Sequence, residues 1–110
     1  MSYLIHITAT AERDIMRAAD YIEFNLKNPI AADHLLDVAT EQINALADMP
    51  QKFCLVDDPV LASWEIRYVI INNYLAFYTI DEEKQRVIVV RFLFQKSNWN
   101  AILRQGFSLI

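Results

Sequence analysis

The sequence predicts an α+β domain: an N-terminal strand, then a two-helix antiparallel hairpin packed on a three- to four-stranded antiparallel sheet, closed by a short C-terminal helix. Three observations lead there. Apolar residues recur at helical spacing through two adjacent stretches of the first half, joined by an Asn-Pro pair. The second half changes to short β-branched and aromatic runs separated by polar turns. The chain has 110 residues, 55% of them apolar, enough to bury one core. A single domain over residues 1–110 is the expectation.

Residues 3–8 alternate β-formers and read as a strand. Thr8 or Thr10 can cap the first helix, with acidic Glu12 in its first turn. Its apolar stripe is Ile15, Ala19, Ile22 and Leu26. Asn28-Pro29 stops that helix, because the residue before proline disfavours helical geometry, and starts the next with Asn28 as N-cap. The second helix, residues 29–48, carries the stripe Ala32, Leu35, Ala39, Ile43 and Leu46. So short a connection makes the two helices antiparallel neighbours. Residues 51–62 read as loop. Strands are expected at residues 63–71, 74–80 and 86–94, with Asn72-Asn73 as a tight turn that needs positive φ. Val87, Ile88, Val89 and Val90 suit a strand buried on both faces. Residues 98–105 form the closing helix, ended by Gly106.

Charge and cysteine usage narrow the function classes. Net charge is −4, which argues against general nucleic-acid affinity. The average conceals a division: residues 1–50 hold eight acids and three bases, and residues 66–110 hold six bases and three acids. Such asymmetry suits either an anionic partner for the second half or ordinary solvated charge. Cys54 stands alone, which excludes an intrachain disulfide and fits a reducing compartment. His6 and His34 lie far apart with no cysteine cluster, so no metal-ligand spacing appears. No apolar run approaches the roughly 20 residues needed to cross a bilayer. A cytoplasmic protein without metal, cofactor or membrane partner is expected.

Several local patterns carry a family resemblance. Tyr21-Ile22, Leu26, Asn28-Pro29 and Ala31-Ala32 stand at the helix junction, with Ile43-Asn44-Ala45-Leu46 and Pro50 closing the second helix. Glu65-Ile66-Arg67, then Asn73-Tyr74-Leu75-Ala76-Phe77-Tyr78, and finally Val87–Leu93 with Trp99 follow in the sheet. In this order the chain resembles the RelE/ParE superfamily of bacterial toxins. The resemblance spans residues 3–99. It implies a growth-inhibiting toxin neutralised by a small cognate antitoxin protein. It also implies one of two targets: RelE-like members cleave messenger RNA on the ribosome, and ParE-like members inhibit DNA gyrase. A fold alone does not separate them.

Metal-free RNA cleavage needs a base for the ribose hydroxyl, cations for the phosphate, and an acid for the leaving oxygen. Arg67 matches the family's sheet arginine, whose guanidinium offers a bidentate fork to an oxyanion. The alternative for Arg67 is an ion pair with a nearby acid such as Glu65. Arg91 lies inside an apolar strand, where a lone charge is costly, so it must reach solvent, an acid or a site. Lys96 and Lys52 complete the candidate catalytic set by family position. Against cleavage stands Phe94-Gln95-Lys96-Ser97-Asn98, where ribonuclease members carry an ionisable residue, further bases and an acid. Phenylalanine transfers no proton, and an unperturbed lysine, with pKa about 10.4, is a poor base at neutral pH. Two readings therefore stand: a ribosome-dependent endoribonuclease built on Arg67, Arg91, Lys96 and Lys52, or a binding protein, either a toxin that occupies gyrase or another target or a weakened toxin that mainly binds its antitoxin. Leu103, Phe107, Leu109 and Ile110 either offer an antitoxin dock or fold back onto the sheet.

Overall fold

The computed structural model describes residues 2–110. In chain order it contains β1 (Leu4–Ile7), α1 (Ala9–Asp20), α2 (Pro29–Ala45), α3 (Pro59–Ser63), β2 (Arg67–Ile71), β3 (Tyr74–Asp81), β4 (Arg86–Phe94) and α4 (Trp99–Arg104). The strands form one sheet in the order β1-β4-β3-β2. Strands β2, β3 and β4 make the expected antiparallel meander. Strand β1 differs: it pairs parallel to β4, Leu4 with Arg86 through Ile7 with Val89, so the sheet is mixed. A parallel pair needs a long crossover, and everything between these two strands supplies it.

The helix caps follow local chemistry. Thr8 Oγ1 accepts from the Ala11 amide at 3.1 Å and donates to the Val90 carbonyl at 3.3 Å, tying the start of α1 to β4. Asn28 Oδ1 accepts from the Ala31 amide at 3.1 Å, with Pro29 in the first turn of α2. All five residues of the expected α2 stripe are buried. Leu35, Ile43 and Leu46 each contribute about 1.5–3 kcal/mol by leaving water. The α1 stripe departs from expectation. Ala11, Ala18 and Ala19 are buried, while Leu26 is 57% exposed. The reason is a π-helical turn over Tyr21–Asn25, whose extra residue per turn rotates the following side chains off the buried face.

Both faces of the sheet are covered. Ala11, Leu35, Ile43, Val69, Tyr78, Val87, Val89 and Phe92 form a core beneath α1 and α2. Val56, Leu61, Ile66, Phe77, Ile88, Val90 and Leu103 form a second core on the opposite face, with Trp99 and Phe107 packed against it. This explains why Val87 to Val90 are all buried. Leu103 is fully buried and Phe107 half-buried, so that part of the tail folds back. Leu109 and Ile110 stay exposed.

The expected loop at 51–62 is partly helical. A 3-10 turn spans Pro50–Lys52, and Asp58 Oδ1 accepts from the Val60 and Leu61 amides to cap α3. The pair Asp58-Pro59, a cap followed by proline at the first helical position, carries that signal. Because α3 occupies 59–63 and Glu65 turns with φ 61°, β2 starts at Arg67 rather than at 63. Asn72 takes φ 55°, as the tight turn requires.

Candidate functional site

Arg67 opens β2 and pairs with Tyr78 across to β3. Its Nη1 donates to the Gln51 carbonyl at 3.2 Å and the Phe53 carbonyl at 2.5 Å. The Tyr78 hydroxyl donates to the Pro50 carbonyl at 2.5 Å. Residues 50–53 are thus strapped over the start of the sheet by two side chains. Burial pushes the Tyr78 phenol up to about 12, against a smaller opposing effect of Arg67, so it serves as a neutral donor and not as a base.

Beside Arg67 lies a small hollow of about 90 Å³ lined by Gln51, Glu65, Ile80 and Glu82. Glu82 accepts from the Tyr3 hydroxyl at 2.8 Å and from Gln51 Nε2 at 3.3 Å. Two carboxylates share this hollow with a single guanidinium, and like charge repels an incoming phosphate.

Arg91 stands elsewhere. A β-bulge in the β3–β4 ladder pairs Phe77 with Arg91 and Tyr78 with Val89, leaving Val90 as the extra residue. Tyr78, the partner of Arg67, belongs to the core beneath the helices, and Phe77, the partner of Arg91, to the opposite core. The guanidinium of Arg67 is held by the backbone of residues 51–53, whereas that of Arg91 is held by α1. Arg91 reaches Asp14 of α1 in a bidentate pair, Nε to Oδ2 at 2.6 Å and Nη2 to Oδ1 at 3.0 Å. Asp14 Oδ2 also accepts the Phe92 amide at 3.1 Å, satisfying the β4 edge where β1 has ended. The expected shared hollow for Arg67 and Arg91 is therefore not formed.

Lys52 lies between the two carbonyls that hold Arg67, and its Nζ sits 5.1 Å from the Phe53 ring centroid. It lines an apolar groove with Gln42, Cys54, Tyr68 and Ile70 along the β2 edge. Lys96 is exposed in the turn after β4, at the Tyr74 end of the sheet. Arg67 faces Tyr78, four residues along β3 and roughly 13 Å away by strand rise. Only Lys52 and Arg67 are neighbours among the four. Among the described residues, no group of three His, Cys, Asp or Glu side chains could hold a metal ion, and no helix is long and apolar enough to cross a membrane.

Sequence reasoning missed three features. Asp14 was readable, since it shares a helical face with Ala11 and Ala18, and an acid on a buried stripe needs a cation. Asp58, besides capping α3, binds Arg104 of α4 through two 3.0 Å contacts. That guanidinium holds the Asp58 carboxyl below the ordinary carboxylate range, against the opposing effect of burial. The third feature is a cavity of about 300 Å³ lined by Tyr21, Tyr74 and Phe94. Tyr74 stacks on Phe92 at 5.1 Å and meets Phe94 edge-on at 5.7 Å. Burial, and secondarily the Tyr21 phenol, pushes the Tyr74 hydroxyl up. No periodicity links a helix-end residue with two strand-end residues so far apart in the chain.

The fold is shared with solved toxin–antitoxin complexes. A chain of the RelBE2 complex from Mycobacterium tuberculosis matches with a TM-score of 0.58 and 20% identity, covering 86% of this chain and 99% of that one. A chain of the chromosomal ParDE system from P. aeruginosa matches with a TM-score of 0.69 and 14% identity, covering 84% and 96%. No curated protein matches at the sequence level. The family described as the ParE toxin of the type II toxin–antitoxin system parDE matches residues 5–99, and the chain belongs to that family.

Proposed function

We propose that this toxin arrests growth by binding a protein target, with DNA gyrase, the target of ParE-like members, as that protein. The observation that carries the reading is the Asp14–Arg91 pair: the second arginine needed for a phosphate cradle is consumed inside the fold. Arg67 is bound to two carbonyls and accompanied by two acids. By the family resemblance, Phe94 stands where ribonuclease members carry an ionisable residue, and Lys96 lies at the end of the sheet away from Arg67. A binding mode asks only for a complementary surface and is compatible with an acidic chain of pI near 5.0. A cognate antitoxin neutralises the toxin by covering such a surface, in the cytoplasm where the target resides.

Binding and cleavage differ in stoichiometry. Purified toxin titrated into a gyrase supercoiling reaction should inhibit to an end point near one toxin per target subunit. Undiminished supercoiling at large toxin excess would remove gyrase as the target. Co-expression with the protein encoded beside the toxin gene should yield a co-purifying complex and restore growth.

A further inference from the structure

The outer edge of β2 is covered over only part of its length. In the sheet order β1-β4-β3-β2, one side of β2 meets β3 and the other faces away from the sheet. Residues 54–56 run antiparallel along that free side. The Tyr68 amide donates to the Cys54 carbonyl at 3.4 Å, the Val56 amide donates to the Ile66 carbonyl at 3.0 Å, and Leu55 stands opposite Arg67. Alternate residues of a strand aim their amide and carbonyl the same way, so Ile70, two positions after Tyr68, turns both groups outward as well. Among the described residues, those two groups meet no hydrogen-bond partner. Ile70 is 59% exposed, while Val69 and Ile71 on either side of it are buried. Sheet edges are commonly blunted by charge or proline, and residues 68–71 carry neither.

Backbone and charge together select the occupant. A free donor and a free acceptor on one edge residue are matched by one residue of an antiparallel strand, which exchanges both bonds with it. Beside them lies the groove of about 310 Å³ formed by Gln42, Phe53, Tyr68, Val69 and Ile70, with room for an apolar side chain of such a strand. Lys52 is the only charged residue lining that groove, and among the described residues it pairs with no carboxylate. Glu65 and Glu82 line the separate hollow beside Arg67, and Glu41, next to Gln42 in the chain, is exposed to water. A strand that continues the line of residues 54–56 has its C-terminal end towards Cys54, so that end carries the matching acid.

We infer that the Ile70 edge of β2 takes an extended segment of a protein partner, paired antiparallel to the strand, with an apolar side chain in the groove and a carboxylate at Lys52. The inference rests on the reading of this chain as a toxin that works by binding protein, and names the surface and the chemistry of that contact. Main-chain bonds to Ile70 hold the segment, and the groove with Lys52 selects its sequence.

The test is a titration of the full-length protein, followed through its backbone amide signals by NMR. The probe is the acetylated, amidated peptide Thr-Val-Thr-Val-Asp. A second peptide ends in lysine instead, and a third carries a methyl group on every amide nitrogen of the first. Before any addition the Ile70 amide should exchange freely with solvent. At millimolar concentration the acidic peptide should shift the Tyr68 and Ile70 amides and slow the exchange of Ile70. It should bind roughly fivefold more tightly than the lysine peptide, the scale of an exposed ion pair, and the margin should shrink with added salt. Lys52→Glu should reverse that order. Ile70→Pro, which removes the outward donor, should abolish binding while the β3 amides stay native. An unmoved Ile70 amide, equal binding of the methylated peptide, or an order of the two charged peptides that Lys52→Glu leaves unchanged overturns the inference. So does an Ile70 amide already protected in a dimer of the chain, which assigns the edge to a second copy. Edge pairing in a chain that leaves supercoiling untouched would sink the gyrase target alone. Stoichiometric gyrase inhibition by a chain whose edge ignores the peptides would sink the edge site alone.

Discussion

Asp14 and Arg91, seventy-seven positions apart, form a bidentate pair that also receives the Phe92 amide. One carboxylate on α1 thereby neutralises a guanidinium from β4 and closes the strand edge beyond β1. A buried pair of this kind adds little over an apolar replacement, but losing one partner leaves the other charge uncompensated. Asp14→Ala should therefore lower stability by about 3 kcal/mol in urea melts. Adding Arg91→Met to it should recover more than half of that loss. Equal stability of the single and double variants would show the pair to be uncoupled.

The Asp58–Arg104 pair gives the molecule an acid-sensitive link between α3 and α4. The folded carboxyl lies below its ordinary 3.8, so the link stabilises the fold at neutral pH. That contribution fades as pH falls below 3.8 and through the lowered folded value. Asp58→Asn retains a competent helix cap and removes the charge. Urea midpoints measured from pH 5 down to pH 2 should fall less steeply for the variant than for the parent. Parallel curves would assign the acid sensitivity to other carboxylates.

Tyr78 offers the alkaline counterpart. Its neutral form is favoured by burial, with the folded value at about 12 against 10.0 in a free phenol. The stabilisation is complete below pH 10 and is lost as pH climbs towards 12. Tyr78→Phe leaves the Pro50 carbonyl without its donor and should cost about 1 kcal/mol at pH 7. The variant should then lose less further stability than the parent between pH 10 and pH 12. A full alkaline loss in the variant would place the responsible group elsewhere.

Arg67 separates the two modes of action. Removing its guanidinium deletes two bonds to the strap at residues 50–53. If the toxin acts by binding at another surface, Arg67→Ala should still arrest growth when expressed to the same folded level. Relief of arrest by a stably folded Arg67→Ala protein would return that guanidinium to the site.

What was legible in the sequence follows a physical rule. The five-residue stripe of α2, the Asn28-Pro29 junction and the boundaries of β4 depend on local periodicity and capping, and they read directly from neighbours. The parallel pairing of β1 depends on a partner more than eighty residues away, which no local pattern encodes. The π-helical turn inserts one residue of rotation and so displaced Leu26 from its expected face. Arg91, a charge inside an apolar strand, needs solvent, an acid or a site, and Asp14 is the acid it meets. That partner lies seventy-seven positions away on α1, which hydrophobic alternation along β4 does not reveal.

A toxin that works by binding stops growth without RNA cleavage, and mapping of messenger-RNA ends in cells shortly after its induction checks this. The distribution of 5′ ends should match that of uninduced cells while growth stops. New ends within translated codons that appear with the toxin, and vanish in an Arg67→Ala variant, would contradict it.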